Sequence, residues 1–514
     1  VCPRACICAN LTPLAPHGAP STKTKMLAAA TLATLALSTT ALGAAVQRRD
    51  VSYSVTGGTQ VPIKDPAPVA ISYEFFAFPG YVNDVGATAQ CVKNLDDAAG
   101  APTRIRIGGT TQDRATYDPS LTSAVSYTVA SAGAAPMTLT YGPSFFDLAS
   151  KLSGPTTIGL NRRLNNLTNS IAAAQQAADT MGNLYAFELG NEPDLYSSSD
   201  PIAGGKAWNP SADAASQVSW QASVSKAFNK TAIIQGGVFL QPPKWSVQEL
   251  GPVEVSSGSL GYVKSFSDHS YPQSACGGAS TNLQSLQSHS GIVSYTKGFA
   301  AEVTAANSAG KPLFFGETNS ATCGGGGISP TFGAALWIVD YVLQAVLLGY
   351  ERLYFHQGTI GNCQYCWWGQ YDTSAPYYGA YFAASALGGM STISQLDDGT
   401  GSIGVYAFGD TTSPSRVVIY NSAYFTGGTR SYANITLTDM TGSSATVKRL
   451  TAPYSTSRVD QGQNPTFAGQ TFANATCAID GTQVTEEVHL QGGAATFSVG
   501  ASEALLIEFS ARKY

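Results

Sequence analysis

Between residues 70 and about 390 the chain alternates short runs of β-branched and aromatic residues with longer stretches whose apolar residues recur at helical spacing. The candidate strands run from Ala70 to Phe76, Thr103 to Gly109, Thr156 to Asn161, Leu184 to Glu192, Ala232 to Phe239, Ser265 to Tyr271, Pro312 to Glu317 and Arg352 to Gln357. The stretches between them, such as Leu164 to Met181 and Phe332 to Leu348, read as amphipathic or buried helices. Strands joined through helices pair in parallel, and eight such units are the count of a closed (β/α)8 TIM barrel. The expected fold class is therefore α/β, with the barrel over residues 66–389.

A barrel of this kind does not use up 514 residues. After residue 390 the pattern changes to short β-rich runs (Ile403 to Phe408, Arg416 to Asn421, Tyr432 to Leu437, Thr446 to Leu450, Val484 to Leu490, Ala504 to Phe509) separated by Gly, Ser, Asp and Pro turns. An antiparallel β-sandwich over 390–514 is predicted. Val51 to Ile63 has the same character, so residues 50–65 are expected to add a strand to it.

Residues 1–45 read as leader and signal peptide. Lys23 and Lys25 precede Met26, Leu27 to Leu42 is apolar, and Gly43, Ala44 and Ala45 offer a cleavage site. The mature protein is expected to be secreted, with no membrane association and as a monomer. Cys91, Cys276, Cys323, Cys363, Cys366 and Cys477 lie beyond the leader, an even number that suggests disulfides in an exported chain without choosing their pairing. Charged residues make up 12% of the chain and the net charge is -5 without Lys or Arg runs, which argues against nucleic acid or a heavily sulfated polyanion as partner. No metal site is predicted, since His269 and His356 are not at ligand spacing from cysteine pairs.

In a barrel of this type the chemistry sits at the carboxyl ends of the strands, so a charged residue closing an apolar run is a catalytic candidate. Glu192 closes the fourth run in Leu184-Tyr-Ala-Phe-Glu-Leu-Gly-Asn-Glu-Pro193, and Glu317 closes the seventh in Pro312-Leu-Phe-Phe-Gly-Glu-Thr-Asn319. Two carboxyl groups over one pocket can hydrolyse a glycosidic bond when one stays protonated and the other ionised. Capping or a rim ion pair with Arg is the bland alternative for each. Glu188 falls earlier in its run and is expected deeper in the barrel.

The Asn191-Glu192 pair at the end of strand four resembles that of the retaining glycosidases which carry their carboxylates on strands four and seven. Arg104-Ile-Arg-Ile-Gly-Gly-Thr110 with Asp113, His269-Ser-Tyr271, and Gly316-Glu-Thr-Asn-Ser-Ala-Thr-Cys-Gly-Gly-Gly-Gly327 narrow the likeness. They are similar to motifs of glycoside hydrolase family 79, the heparanase and β-glucuronidase family. The resemblance implies Glu192 as acid/base, Glu317 as nucleophile, and Asn191 on the sugar 2-hydroxyl. It also implies Glu74, Gly109 and Thr110 around the sugar, and Tyr271 donating to the nucleophile or the sugar. Arg106 is expected to hold Glu317 ionised, and His269 to support its neighbours. Backbone N–H groups of Cys323 and Gly324 are candidates for a sugar carboxylate, although Thr322 and Cys323 stand where the family often has Tyr. Tyr365, Trp367, Trp368 and Tyr371 offer either a stacking wall or core packing.

The function this implies is a retaining exo-acting glycoside hydrolase, without cofactor, that releases terminal β-linked glucuronic acid, with 4-O-methylation tolerated, from a weakly charged glycan. An arabinofuranosidase or xylosidase of the same superfamily and a non-catalytic glycan-binding protein are the competing readings.

Overall fold

The computed structural model describes residues 51–369, 372–410 and 413–509. The leader expected over 1–45 lies outside them. Eight parallel strands close a barrel in chain order: Val69–Glu74, Ile105–Gly108, Thr156–Leu160, Leu184–Leu189, Ile234–Phe239, Val263–Ser270, Leu313–Thr318 and Arg352–Gln357, the last pairing back onto the first. These are the eight predicted runs, with ends that coincide or differ by at most three residues. The largest trim is at the fourth strand, which stops at Leu189, so Glu192 stands on the turn beyond it.

The helices that wrap the barrel follow local rules. Leu167–Thr180 opens on Asn166, whose side chain accepts the Asn169 N–H, and Phe332–Leu348 opens on Thr331, which accepts that of Ala334. Phe332–Leu348 is apolar almost all round and buries nearly every residue, because it has protein on both sides. One side meets the barrel and the helix Ala375–Leu387. At their crossing a Cβ on Gly379 would lie 2.0 Å from the Ala335 carbonyl oxygen, so only glycine permits the approach.

The other side of that helix meets the C-terminal β domain. Its larger sheet includes Ile403–Gly409, Pro414–Asn421, Glu503–Phe509 and Ser444–Thr451 as neighbours, all antiparallel. Side chains alternate across a strand. Val405, Ala407, Val417, Ile419, Leu505 and Ile507 therefore fill the core between the two sheets, while Tyr406, Phe408, Val418, Tyr420 and Leu506 join the barrel-side core. A sheet buried on both faces is why these runs are continuously apolar.

The second sheet contains Tyr432–Thr438, Ala495–Gly500 and Val51–Ser54. Val51–Ser54 runs parallel to Tyr432–Thr438, so the sandwich is not wholly antiparallel. The amino-terminal segment gives two strands where one was expected, since Val61–Pro62 joins the edge of the larger sheet beside Thr392–Gln395. The predicted strand Val484 to Leu490 shortens to Glu486–His489, an exposed edge. Three disulfides, Cys91–Cys477, Cys276–Cys323 and Cys363–Cys366, use all six cysteines of the described residues. Cys91–Cys477 ties the barrel helix Thr88–Ala99 to the β domain. No helix among the described residues is long and apolar enough to cross a membrane.

Candidate active site

At the carboxyl end of the barrel a cavity of about 680 Å³ is lined by Glu74, Thr110, Glu192, His269, Tyr271, Glu317, Thr322, Cys323, His356 and Tyr365, with Leu195, Leu240, Pro242, Tyr295 and Phe299 on its apolar side. Each polar residue comes from a strand end or the turn after it. An oxygen of Glu192, an oxygen of Glu317 and a ring nitrogen of His269 all lie within 4.8 Å of one another. The fourth and seventh strands thus deliver their carboxylates to one space.

Glu192 gets there through a bent turn. Its backbone is left-handed, with φ 46°, a conformation that costs a non-glycine residue about 1–2 kcal/mol. Asp113 stabilises the turn from below, accepting the Asn191 N–H at 2.8 Å, the Tyr196 hydroxyl and the Arg162 N–H at 3.1 Å. Asp194, two residues on, accepts the Leu240 N–H at 3.1 Å and closes the turn against the fifth strand.

Arg106 is wholly buried beneath the pocket. It donates to Glu317 Oε2 at 2.6 Å, Ser72 Oγ at 3.0 Å and Asn191 Oδ1 at 2.8 Å, and grips Glu188 Oε1 through two nitrogens. Glu188 passes the network on by accepting from Gln235 Nε2 at 2.9 Å. Tyr271 donates to the other Glu317 oxygen, Oε1, at 2.6 Å. His356 bridges the network: Nδ1 lies 3.0 Å from Ser72 Oγ and 3.5 Å from Glu317 Oε2, and Nε2 lies 3.2 Å from Glu74 Oε2. Glu74 also accepts the backbone N–H and the hydroxyl of Thr111. His269 Nδ1 lies 3.0 Å from Glu192 Oε1, while its Nε2 is buried without a partner among the described residues.

These surroundings separate the two glutamates electrostatically. Burial and the neighbouring Glu317 charge push Glu192 up to about 8, against the opposing pull of Arg106 and His356. Burial would also raise Glu317, but His356, His269, Arg106 and the Tyr271 hydrogen bond outweigh it and hold this carboxyl well below the usual carboxylate range. Burial drives His269 down to about 4, so near neutrality its ring is uncharged and Arg106 supplies the permanent positive charge. One carboxyl is kept as an acid and its neighbour as an anion.

Of the residues singled out in the sequence, Glu74, Thr110, Glu192, Tyr271, Glu317, Cys323 and His269 reach the pocket wall. Arg106 and Asn191 lie just beneath it. Gly109 underpins Glu74: its φ is 97°, and a Cβ there would sit 2.6 Å from Glu74 Oε2. Gly324 is not on the wall; it continues a turn in which Cys323 to Gly327 all have positive φ. Trp367 and Trp368 are buried core, Trp368 donating to Thr88 Oγ1 at 2.9 Å, so of the aromatic run Tyr365 alone among the described residues faces the pocket; Tyr371 lies outside them. In the sequence His356 is weighed only as a metal ligand. The criterion that found the glutamates does not reach it, since Gln357 closes the eighth run; its one signal is a polar side chain near the end of an apolar strand.

Residues 405–506 match the family model described as the glycosyl hydrolase family 79 C-terminal beta domain. A β-glucuronidase of Neurospora crassa is 31% identical over 381 residues, spanning 65% of this chain and 67% of that protein. The chain belongs to glycoside hydrolase family 79. A β-glucuronidase of Aspergillus niger is 30% identical over 66% of this chain and 68% of its own length. Among solved structures, a 4-O-α-L-rhamnosyl-β-D-glucuronidase from Fusarium oxysporum, in complex with Rha-GlcA, is 52% identical, covers 89% of this chain and 100% of its own, and superposes with a TM-score of 0.87. A family 51 α-L-arabinofuranosidase from Bifidobacterium longum shares the fold with a TM-score of 0.60 at 12% identity. As a family 79 member the chain is an enzyme that hydrolyses glycosidic bonds.

Proposed function

We propose that this family 79 enzyme is a retaining, exo-acting β-glucuronidase, with Glu317 as nucleophile and Glu192 as acid/base. The carrying observation is that two carboxyl oxygens, one ionised and one protonated in these surroundings, lie within 4.8 Å across a single pocket. Retaining glycosidases hold their carboxyl groups about 5–5.5 Å apart, whereas inverting ones leave about 6.5–9.5 Å for a water.

In the first step a Glu317 oxygen bonds to the anomeric carbon as the glycosidic bond breaks, and Glu192 gives its proton to the departing oxygen. Esterification removes the Glu317 charge, which is one reason Glu192 holds its proton, so Glu192 becomes more acidic at the moment it must act as a base. It then takes a proton from water, whose oxygen attacks the anomeric carbon and frees Glu317. Asn191 is fixed through its Oδ1 by Arg106, which leaves its amide N–H groups for the 2-hydroxyl. Glu74, tied to Thr111 and His356, suits further sugar hydroxyls.

The β-glucuronidases among the relatives support glucuronic acid as the sugar. The relative that acts on a 4-O-rhamnosylated glucuronide supports acceptance of a substituent on O4, for which a cavity of about 680 Å³ leaves room beyond one ring. The pocket wall carries no Lys or Arg among the described residues. Recognition of the carboxylate then falls to N–H and O–H donors such as the Cys323 backbone and Tyr365. We infer that the enzyme works outside the cell, which three disulfides support.

The test is hydrolysis of nitrophenyl β-glucuronide beside the neutral arabinofuranoside and xyloside, followed by proton NMR. The β-anomer of glucuronic acid should appear first. Glu317→Ala should abolish turnover. Glu192→Ala should keep cleavage of substrates with good leaving groups and form a β-glucuronosyl azide with added azide. The α-anomer first, or full activity in Glu317→Ala, would overturn the assignment.

A further inference from the structure

Beside the active-site pocket lies a second groove that the chemistry above does not use. Its volume is about 590 Å³, and it is walled by Thr281 to Gln284 on the barrel side and by Tyr424, Tyr454, Gln461 and Gln463 on the β-domain side. A hydrogen-bonded pair joins its wall to that of the active site. Gln273, on the wall of the active-site pocket, donates its side-chain amide to the Asn282 carbonyl at 2.8 Å and accepts the Asn282 N–H at 2.7 Å, while Asn282 lines the groove. The glycine turn after Glu317 shares the junction, since Thr281 donates its hydroxyl to the Gly326 carbonyl at 2.7 Å.

The lining has a definite chemistry. Tyr454 is exposed and its ring rests on Phe425 at 5.8 Å, so a supported aromatic surface faces solvent. Exposed Gln284 and Gln461 add side-chain amides, each carrying donor and acceptor together. Arg458 is the single charged residue on the wall among the described residues, and Asp460 pairs with it at 2.6 Å. A polyanion needs several uncompensated cations, and a protein interface needs a more apolar centre. Supported tyrosines with amides fit the apolar faces and paired hydroxyls of neutral sugars.

We propose that this groove is a second glycan-binding site, which holds a neutral stretch of the substrate's own polysaccharide while a glucuronyl branch of it occupies the active-site pocket. The ligand class is an uncharged polysaccharide chain. The proposal rests on the β-glucuronidase reading for its substrate, but the groove binds whether or not the neighbouring site turns over.

The experiment uses the full chain and the variants Tyr454→Ala, Gln461→Ala and Tyr454→Phe. Two substrates are compared, nitrophenyl β-glucuronide and a glucuronylated arabinogalactan, and binding is read by gel retardation in the same arabinogalactan stripped of its uronic acid. Tyr454→Ala and Gln461→Ala should lose about tenfold in kcat/KM on the polysaccharide, equal to about 1.4 kcal/mol. They should change less than about twofold on the nitrophenyl substrate and lose retardation. Tyr454→Phe, which keeps the ring, should behave as the parent. Equal losses on both substrates, unchanged kinetics on the polysaccharide, or no retardation of the parent by the stripped polymer would overturn the proposal. A parent that is retarded yet leaves the nitrophenyl glucuronide intact sinks the glucuronidase reading and leaves the groove standing.

Discussion

Glu192 and Glu317 are the same amino acid, one on the turn after the fourth strand and one a residue short of the end of the seventh, and their difference comes from what touches them. Glu317 receives Arg106 and Tyr271, one on each oxygen; Glu192 receives one neutral histidine and the repulsion of Glu317. The consequence for pH is directional. In the proposed mechanism Glu192 holds its proton in the first step, so kcat/KM should fall as pH rises through about 8. The acidic limb should lie far lower, because Glu317 stays ionised well below the ordinary carboxylate range. Tyr271→Phe removes one hydrogen bond to an ionised group, about 1.5–3 kcal/mol, and should cut kcat by about 10- to 100-fold while moving the acidic limb upward. Arg106→Met should cost more, because it strands Glu188 and Glu317 in the barrel interior. Losing one partner of a buried pair costs about 3–5 kcal/mol, so a thermal melt should report that variant as destabilised as well as inactive. A pH profile of Tyr271→Phe that superposes on the parent's would remove the hydrogen bond from the account.

At the scale of elements, strand ends were legible and their surroundings were not. Glu192 and Glu317 could be found because a parallel strand buried on both faces is apolar until it reaches the barrel mouth, so a terminal acid is conspicuous. His356 stands one residue short of the end of the eighth strand, and a lone histidine in an aromatic run reads equally well as core. Trp367 and Trp368 illustrate the reverse, since nothing in their sequence separates a wall that faces sugar from one that faces Thr88. The parallel pairing of Val51–Ser54 with Tyr432–Thr438 joins residues almost 400 positions apart, and no local pattern encodes it. Disulfide pairing was equally closed to sequence, and the structure gives one bridge a place in the site. Cys276–Cys323 pins the glycine turn after the seventh strand to the loop after the sixth, at the pocket rim. Closing a loop of 47 residues restricts the unfolded chain by about 4 kcal/mol in the chain-entropy model. Cys276→Ser with Cys323→Ser should therefore lower the melting temperature. It should also raise KM for the glucuronide more than it lowers kcat, because the turn carries the proposed carboxylate-binding N–H and neither carboxyl depends on it. A fall confined to kcat would place the bridge in the chemistry instead.

The whole molecule depends on how barrel and β domain are joined. The larger sheet turns Tyr406 and Tyr420 toward the barrel helices, and between them lies His289, wholly buried, with Nδ1 2.8 Å from Asp340 and Nε2 2.9 Å from Asp397. His289 and Asp340 belong to barrel helices, whereas Asp397 belongs to the β domain, so one imidazolium holds the two together. Burial opposes its charge, but the aspartates outweigh burial and raise it from an ordinary 6.5 to about 10. A cation whose pKa is raised on folding contributes fully below its unfolded value and is lost as pH climbs through its folded one. The clamp should therefore stabilise the enzyme fully below pH 6.5 and fade between 6.5 and about 10. His289→Gln keeps hydrogen-bonding capacity without the charge, and at pH 6 should melt at a lower temperature by an amount equivalent to about 3–5 kcal/mol. The deficit should shrink as the pH approaches 10, because the parent then loses the same charge. Other buried acids, Asp194 and Glu254 among them, are pushed up to about 7 and also make stability fall with rising pH. They do so equally in parent and variant, so the difference between the two melting curves isolates the clamp. Because the sheet shares buried faces with both cores, each curve should show a single transition. A parent-minus-variant difference that stays constant from pH 6 to 10 would mean that the histidine is uncharged and acts by packing alone.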